Sequence, residues 1–453
     1  MPIPISAIKG VIWPALPNPN NSLLLALQYQ LEQTQWWSPE EIQKWQMFQL
    51  TALLAHADHT VPFYRQRLGV LLEVRDRFLN YSDLQQIPIL TRQDIQQQSK
   101  EMISTALPKE HLPTSESQTS GSTGRPITFQ TTKTKGIFYR ALNLRSHLWH
   151  QRNFSAKVAA IRVPRSKLRQ SKQKQEGKKI WADAFPSGAL VELDSGKTIA
   201  EQLAWLEKEN PEHILTYPSN LLALAKQAKK KGIKIPNLQA LSTFGEVVTP
   251  EIRQVCQAVW NISIVDIYSC QEIGLIALQC PKHEHYHIQS ESVIVEILDE
   301  NDQPCAPGQI GRVVLTDLHN YAMPFIRYEI GDYAEVGEYC SCGRKLPVLR
   351  RILGRSRNLL VLPSGDLIWP SYILSNWAKL GPILQIQVIQ RSVEVIEVRM
   401  VLSRAITENE EAILHQHICA DLKNQFQVKL LYVDEIPRAA NGKYEDFISE
   451  VVV

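Results

Sequence analysis

What most constrains the fold is a change of texture along the chain. From about residue 180 to 275, helix and strand signals alternate, punctuated by Asn210-Pro211 and Lys231-Gly232. Such alternation puts strands in one layer and helices in others, which is an α/β architecture. From about 290 the period shortens. Val293, Val295 and Ile297 occupy every second position, as in a strand with one buried face. Arg312 to Leu315 follows a Pro/Gly loop and reads as another strand. After Gly354-Arg355 a smaller α+β pattern begins. It has strands at 359–362 and 367–369 around a Ser364-Gly365-Asp366 turn, more strands at 383–389, 393–401 and 428–433, and a helix opened by a Thr407/Glu410 capping box. A chain of 453 residues exceeds what one hydrophobic core usually organises. The expectation is a large α/β domain of layered sheets over 1–354 and a small α+β domain over 355–453.

Residues 22–70 read as helices, with Leu23, Leu24, Leu27 and Leu31 at helical spacing and Ser38-Pro39-Glu40-Glu41 as a helix start. Ser82 before Asp83, and Thr91 with Asp94, read as further caps. The net charge is 49 − 46 = +3, too small to make nucleic acid a main partner. No run approaches the ~20 apolar residues of a membrane span. The first twenty residues carry five prolines and no long apolar block, so no signal peptide is expected. Seven cysteines in so long a chain do not make a disulfide scaffold, and a reducing, cytoplasmic location follows. A basic cluster from Arg162 to Lys179 reads as a solvated loop, or else as a site for an anionic acceptor or partner.

Thr119-Ser120-Gly121-Ser122-Thr123-Gly124-Arg125-Pro126 packs four hydroxyls and two glycines ahead of a cation and a proline. Glycine lets backbone N–H groups approach a ligand closely, and hydroxyls add donors and acceptors, a combination that suits a polyphosphate. It is neither a Walker A loop nor a Gly-x-Gly-x-x-Gly turn. The flank Ile127 to Thr131 reads as a strand. Further along, Cys340-x-Cys342 and Cys280 with His283, His285 and His287 offer three thiolates and an imidazole, a tetrahedral zinc set.

Five more segments matter through their order: Gly245-Glu246, Tyr268-Ser269-Cys270-Gln271-Glu272, 322–332 ending in a turn with Asp332, Gly354-Arg355-Ser356-Arg357-Asn358, and Pro437 to Lys443. Together with 45–64, Pro88 to Arg92 and Cys340 to Arg344, they resemble the adenylate-forming superfamily of acyl-CoA synthetases, adenylation domains and luciferases. Within it the chain resembles the phenylacetate-CoA ligase family, in particular its CapK-like members. The resemblance spans about residue 20 to the end.

The resemblance implies ATP-dependent activation of a carboxylic acid to an acyl-adenylate, then transfer of the acyl group. Ser120, Gly121, Ser122, Thr123 and Gly124 would hold the β- and γ-phosphates. Gly245 and Glu246 would lie beside the adenine, with Tyr268 over its ring. Glu272 would coordinate Mg²⁺, Asp332 would accept from the ribose hydroxyls, and Arg355 would contact the nucleotide or brace the hinge. Arg327 is a weaker candidate, or a structural ion-pair member. Lys443, carried on a mobile C-terminal lid, would neutralise charge at the α-phosphate. Cys280, His287, Cys340 and Cys342 would hold a structural Zn²⁺, with His285 and His283 as the other imidazoles available. A homodimer is also implied.

The sequence departs from the family at three places. Gln271 stands where relatives have threonine, and Arg357-Asn358 stands where an acidic pair is common. The stretch from Val361 to Trp369 replaces an Arg-Gly-Val-Asn loop. That last difference leaves the acceptor open between CoA and a carrier protein, amine or sugar. A catalytically silent nucleotide- or partner-binding module is the reading from another class.

Overall fold

The computed structural model describes residues 3–68, 79–119, 127–163, 181–182, 184–355, 360–363, 367–368, 377, 380–422, 425–436 and 447–451. The chain opens with helices α1 (Pro19–Thr34), α2 (Pro39–Thr60), α3 (Pro62–Arg67), α4 (Tyr81–Gln86) and α5 (Arg92–Gln98). Prolines in the first turn of α1, α2 and α3 sit where a missing N–H costs nothing. Ser38 with Glu41 and Thr91 with Asp94 close reciprocal capping boxes. The cap of α4 is Asn80, not Ser82: Asn80 pairs with Asp83 in the same reciprocal way, which places Ser82 inside the helix.

A hairpin of β1 (Thr114–Gln118) and β2 (Thr128–Thr132) leads into α6 (Lys133–Trp149). The α/β run follows: β3 (Val158–Arg162), β4 (Leu190–Asp194), α7 (Ile199–Glu209), β5 (His213–Thr216), α8 (Pro218–Lys231), β6 (Ala240–Phe244), α9 (Pro250–Trp260) and β7 (Ile264–Cys270). The period-two stretch gives β8 (Gly274–Gln279), β9 (Tyr286–Ile288), β10 (Val293–Leu298), β11 (Ile310–Asp317), β12 (Tyr328–Val336) and β13 (Val348–Arg355). Among the described residues these form one sheet of eleven strands, ordered β10-β11-β12-β13-β9-β8-β7-β6-β5-β3-β4. Strands β4, β3, β5, β6 and β7 pair in parallel, and antiparallel pairing begins between β7 and β8. Parallel strands need crossover helices, and α7, α8 and α9 supply them and share one apolar core with the sheet. Helices α1 and α6 cover the opposite face with Trp149, Phe154 and Phe185.

The C-terminal α+β pattern gives β14 (Leu360–Val361), β15 (Leu367–Ile368), β16 (Ile383–Gln390), β17 (Val395–Leu402), α10 (Glu408–Asp421), β18 (Gln427–Tyr432) and β19 (Phe447–Ser449). Four of these strands make a second sheet, β18-β17-β16-β19. β19, which pairs in parallel with β16, has no counterpart in the sequence reading, where the unit ended at β18. A separate core of Leu360, Trp377, Ile396, Leu414, Ile418 and Phe447 holds this region together. Among the described residues, no helix is long and apolar enough to cross a membrane.

Candidate active site

In a sheet of this kind the ends of the parallel strands are where backbone turns and side chains can face a ligand. Gly245 follows β6 directly and has a φ of 81°, a left-handed conformation that favours glycine. The next residue, Glu246, turns one carboxylate oxygen back to accept the backbone N–H of Ser219, 2.9 Å away in the first turn of α8. A carboxylate there satisfies an otherwise unmade helix N–H and complements the helix dipole.

The neighbouring strand β7 ends in the Tyr268 to Glu272 segment. The Tyr268 hydroxyl donates to Asp332 Oδ2 at 2.9 Å. Asp332 lies within β12 rather than in a turn, just after Gly331 with its φ of 81°. Its cross-strand partner is Arg355 at the end of β13. The side chain of Arg355 lies outside the described residues.

Glu272 is 9% exposed. The Tyr328 hydroxyl approaches its Oε1 at 3.5 Å, and the Arg92 guanidinium lies 4.0 Å from the same oxygen. Arg92 also donates to Thr119 Oγ1 at 3.3 Å. Thr119 in turn bonds Ile127 twice: its N–H donates to Ile127 O, and its Oγ1 accepts the Ile127 N–H, both at 2.9 Å. The Thr119–Ile127 pair thus links the two residues that flank segment 120–126, and Arg92 ties it to Glu272. Cys270 reports the same convergence. Burial first, then the fields of Glu272 and Asp332, push its thiol well above the ordinary range. The two carboxylates therefore act on one small volume.

Of the residues expected from the sequence, Gly245, Glu246, Tyr268, Glu272 and Asp332 are described. Ser120, Gly121, Ser122, Thr123, Gly124 and Lys443 lie outside the described residues. Arg327 is a structural group: it pairs with Glu296 at 3.0 and 3.1 Å and donates to the carbonyls of Gln85 and Ile87, each at 2.7 Å. Arg92 and Tyr328 were not singled out as site residues. Their signal lay within the Pro88–Arg92 and 322–332 segments, but their target is remote in sequence.

The cysteine and histidine segments also converge. Cys280 Sγ and Cys340 Sγ are 3.7 Å apart, and Cys342 Sγ is 3.4 Å from His287 Nε2. Two thiolates on one tetrahedral zinc, each at about 2.3 Å, lie about 3.8 Å apart, and a thiolate and imidazole somewhat closer. The observed spacings fit those edges. His287 Nδ1 faces the carbonyl of Leu346 at 3.3 Å, leaving Nε2 toward the thiols. Burial lowers the His287 pKa to about 4, so the imidazole is neutral, the form that ligates. His285 joins the cluster as well: ligand atoms of Cys280, His285, His287 and Cys340 all lie within 4.8 Å of one another. The Nε2 of His285 is buried without a hydrogen-bond partner. His283 instead meets Ser341 Oγ at 2.9 Å. Arg344 donates to Cys342 Sγ and stacks on the Trp149 ring, 4.4 Å from its centroid.

Residues 360–450 match the model of the CapK C-terminal domain family. The chain is similar to phenylacetate-coenzyme A ligases. It is 26% identical to that of Thermus thermophilus over 437 residues, covering 89% of this chain and 95% of the relative. It is 25% identical to that of Escherichia coli K12 over 400 residues, covering 84% and 86%. Among solved structures, a 2-hydroxyisobutyryl-CoA ligase in the postadenylation state with its acyl-AMP superposes with a TM-score of 0.70 at 18% identity, covering 92% of this chain and 91% of that one. An open conformation of that ligase with 2-HIB-AMP and CoA gives 0.58 at 17% identity, covering 91% and 92%. The resemblance read from the motifs is borne out. The chain is similar to phenylacetate-CoA ligases along most of its length, carries a CapK-type C-terminal region, and has the fold of adenylate-forming CoA ligases.

Proposed function

We propose that this relative of the phenylacetate-CoA ligases is an AMP-forming acid–thiol ligase. It activates a carboxylic acid with ATP to an acyl-adenylate, releases pyrophosphate, and passes the acyl group to CoA. The observation that carries this reading is the convergence of the Tyr268–Asp332 couple and Glu272 with the Arg92-anchored neck of the Thr119–Pro126 loop. Similarity to named CoA ligases over nearly the whole chain supports it.

In the first step a carboxylate oxygen of the acid attacks the α-phosphorus and the bond to the bridging oxygen breaks. A carboxylate is already a nucleophile, so the site supplies position and charge neutralisation rather than a base. Asp332, oriented by Tyr268, accepts from the ribose hydroxyls. The turn at Gly245 and Glu246 forms the adenine wall. Residues 120–124 grip the departing pyrophosphate. Lys443, with its flexible point charge, meets the α-phosphate from a C-terminal lid. Division into domains at 354/355, with Arg355 at the hinge, belongs to the same proposal. Glu272 is a hard oxygen donor whose side-chain contacts among the described residues are no closer than 3.5 Å, which fits Mg²⁺. Bound there, the ion would offset phosphate charge.

For zinc, the Cys280–Cys340 and Cys342–His287 spacings support the assignment to Cys280, His287, Cys340 and Cys342, while the set whose ligand atoms all lie within mutual reach has His285 in place of Cys342. Four protein ligands leave no open position, so the role is structural. His285 is the alternative imidazole, because its Nε2 is buried beside the thiols. A cytoplasmic location, expected from the cysteine usage, and a homodimer, implied by the resemblance, complete the proposal.

Acid-dependent ATP–pyrophosphate exchange tests the first step across aryl, alkyl and amino acids. CoA-dependent AMP release tests the second. Exchange without CoA-dependent release would point to a carrier protein, amine or sugar as acceptor, the second reading favoured by the altered loop at 361–369. Binding of ATP without exchange for any acid would favour a silent nucleotide-binding module.

A further inference from the structure

The cysteine and histidine cluster offers more donors than one tetrahedral zinc can use. Cys280, His285, His287, Cys340 and Cys342 are all of the type that zinc takes, and a closed site takes four. Local structure produces the surplus. Side chains alternate along an extended strand, so His285 and His287, two apart across the start of β9, turn to one side. The backbone N–H of Cys280 donates to His285 O at 2.8 Å, which holds His285 beside the first thiol. Cys340 and Cys342 share a tight turn that closes at Gly343, whose φ is 95°.

The five donors divide into three that are shared and two that alternate. Cys280, Cys340 and His287 are buried and belong to both possible sets of four. His285 completes one set, in which all the ligand atoms lie within 4.8 Å of one another. Cys342 completes the other, with its Sγ 3.4 Å from His287 Nε2. Both of these residues are half-buried.

They differ in what is left when the metal does not take them. Without zinc, His285 has a buried Nε2 with no hydrogen-bond partner among the described residues. A buried polar atom in that state costs free energy, which ligation would offset. Cys342 has a place away from the metal: the Arg344 guanidinium donates to its Sγ at 3.7 Å. Its chain neighbours Ser341 and Gly343 are exposed, so reagents can approach the turn.

We infer that His285 is a reserve ligand: zinc passes between the set completed by Cys342 and the set completed by His285, and Cys342 is a thiol open to modification while the metal stays bound. This rests on the zinc reading above. The staple between the 280–287 and 340–344 segments then survives the loss of one thiolate, because Cys280 and Cys340 still hold it from both sides.

The test uses the full-length protein loaded with zinc or with cobalt(II), whose thiolate charge-transfer band grows with the number of sulfur ligands. Iodoacetamide is the probe: the Cys342 sulfur attacks its methylene carbon, an S–C bond forms, and iodide leaves. Peptide mass spectrometry reads each cysteine separately, and elemental analysis follows the metal. In wild type, Cys342 should react about tenfold or more faster than Cys280 and Cys340, with about one zinc per chain retained. The cobalt charge-transfer band should fall by about a third while the tetrahedral d–d bands remain. The same reaction should strip the metal from His285→Ala. Cys342→Ala should hold zinc within about tenfold of wild type, and adding His285→Ala to it should weaken zinc by about 100-fold or more in chelator competition. Metal that protects Cys342 as fully as Cys280 and Cys340 overturns the exchange and leaves a fixed site of three thiolates and one imidazole. Metal lost from wild type as readily as from His285→Ala overturns the reserve role. Protein that takes up neither zinc nor cobalt overturns the zinc reading as well. The wild-type labelling decides even where His285→Ala does not fold.

Discussion

Arg327 is buried and Arg152 only partly so, and they differ in what surrounds them. Arg327 has the carboxylate of Glu296 on one side and the carbonyls of Gln85 and Ile87 on the other. Arg152 has a hydroxyl, an imidazole and an unbonded Nε. A buried cation whose donors are met within the chain is architecture: here it braces the loop before Ile89 against β10. Arg152 is only partly buried, so solvent can meet the donors that its neighbours leave. Glu272 is buried as well, yet among the described residues its side-chain partners stand off at 3.5 and 4.0 Å, as suits a group held for a ligand.

The contrast breaks most readily at the satisfied pair. Arg327→Met should lower stability by about 3–5 kcal/mol, because Glu296 is left buried without its partner. Denaturant unfolding measures this, and the preference among acids should not move. A variant as stable as wild type would remove the architectural role. Next in size, Glu272→Gln should cut pyrophosphate exchange by about 10²–10³ while the melting temperature stays near wild type. A large loss of stability with little loss of exchange would place Glu272 with Arg327 instead. Arg344→Met, which removes a donor to Cys342 and a cation over Trp149, should weaken zinc by about 10–100-fold in chelator competition. Protein purified without stripping that contains no zinc would contradict the metal assignment itself. The smallest effect is expected from Tyr268→Phe. Losing one hydrogen bond to Asp332 should cost about 1 kcal/mol, read as a several-fold rise in KM for ATP with kcat nearly kept.

Local patterns were legible where local physics decides. The Thr91–Asp94 and Thr407–Glu410 boxes are each complete within four residues, and both form as expected. The period-two run at 293–297 lies in β10. Cysteine spacing was legible for a similar reason, since few arrangements bring so many soft ligands together. Errors came where a competitor stood nearby: Asn80 took the cap assigned to Ser82, because it too can reach Asp83. Asp332 reads as a turn after Gly331, yet pairing with β13 draws both into a strand. Arg92 could not be found locally, because Thr119 and Glu272 are 27 and 180 residues away. Arg152 was hidden for the same reason. Among the described residues it bonds to His147 and Ser242 and pairs with no acid, which only the folded chain reveals.

The most direct test of acid activation follows an oxygen atom. If the carboxylate attacks the α-phosphorus, an acid labelled with heavy oxygen in its carboxylate, turned over with ATP and CoA, must leave one labelled oxygen in the AMP. The account predicts labelled AMP and unlabelled pyrophosphate. Label in inorganic phosphate, with ADP as the nucleotide product, would contradict it.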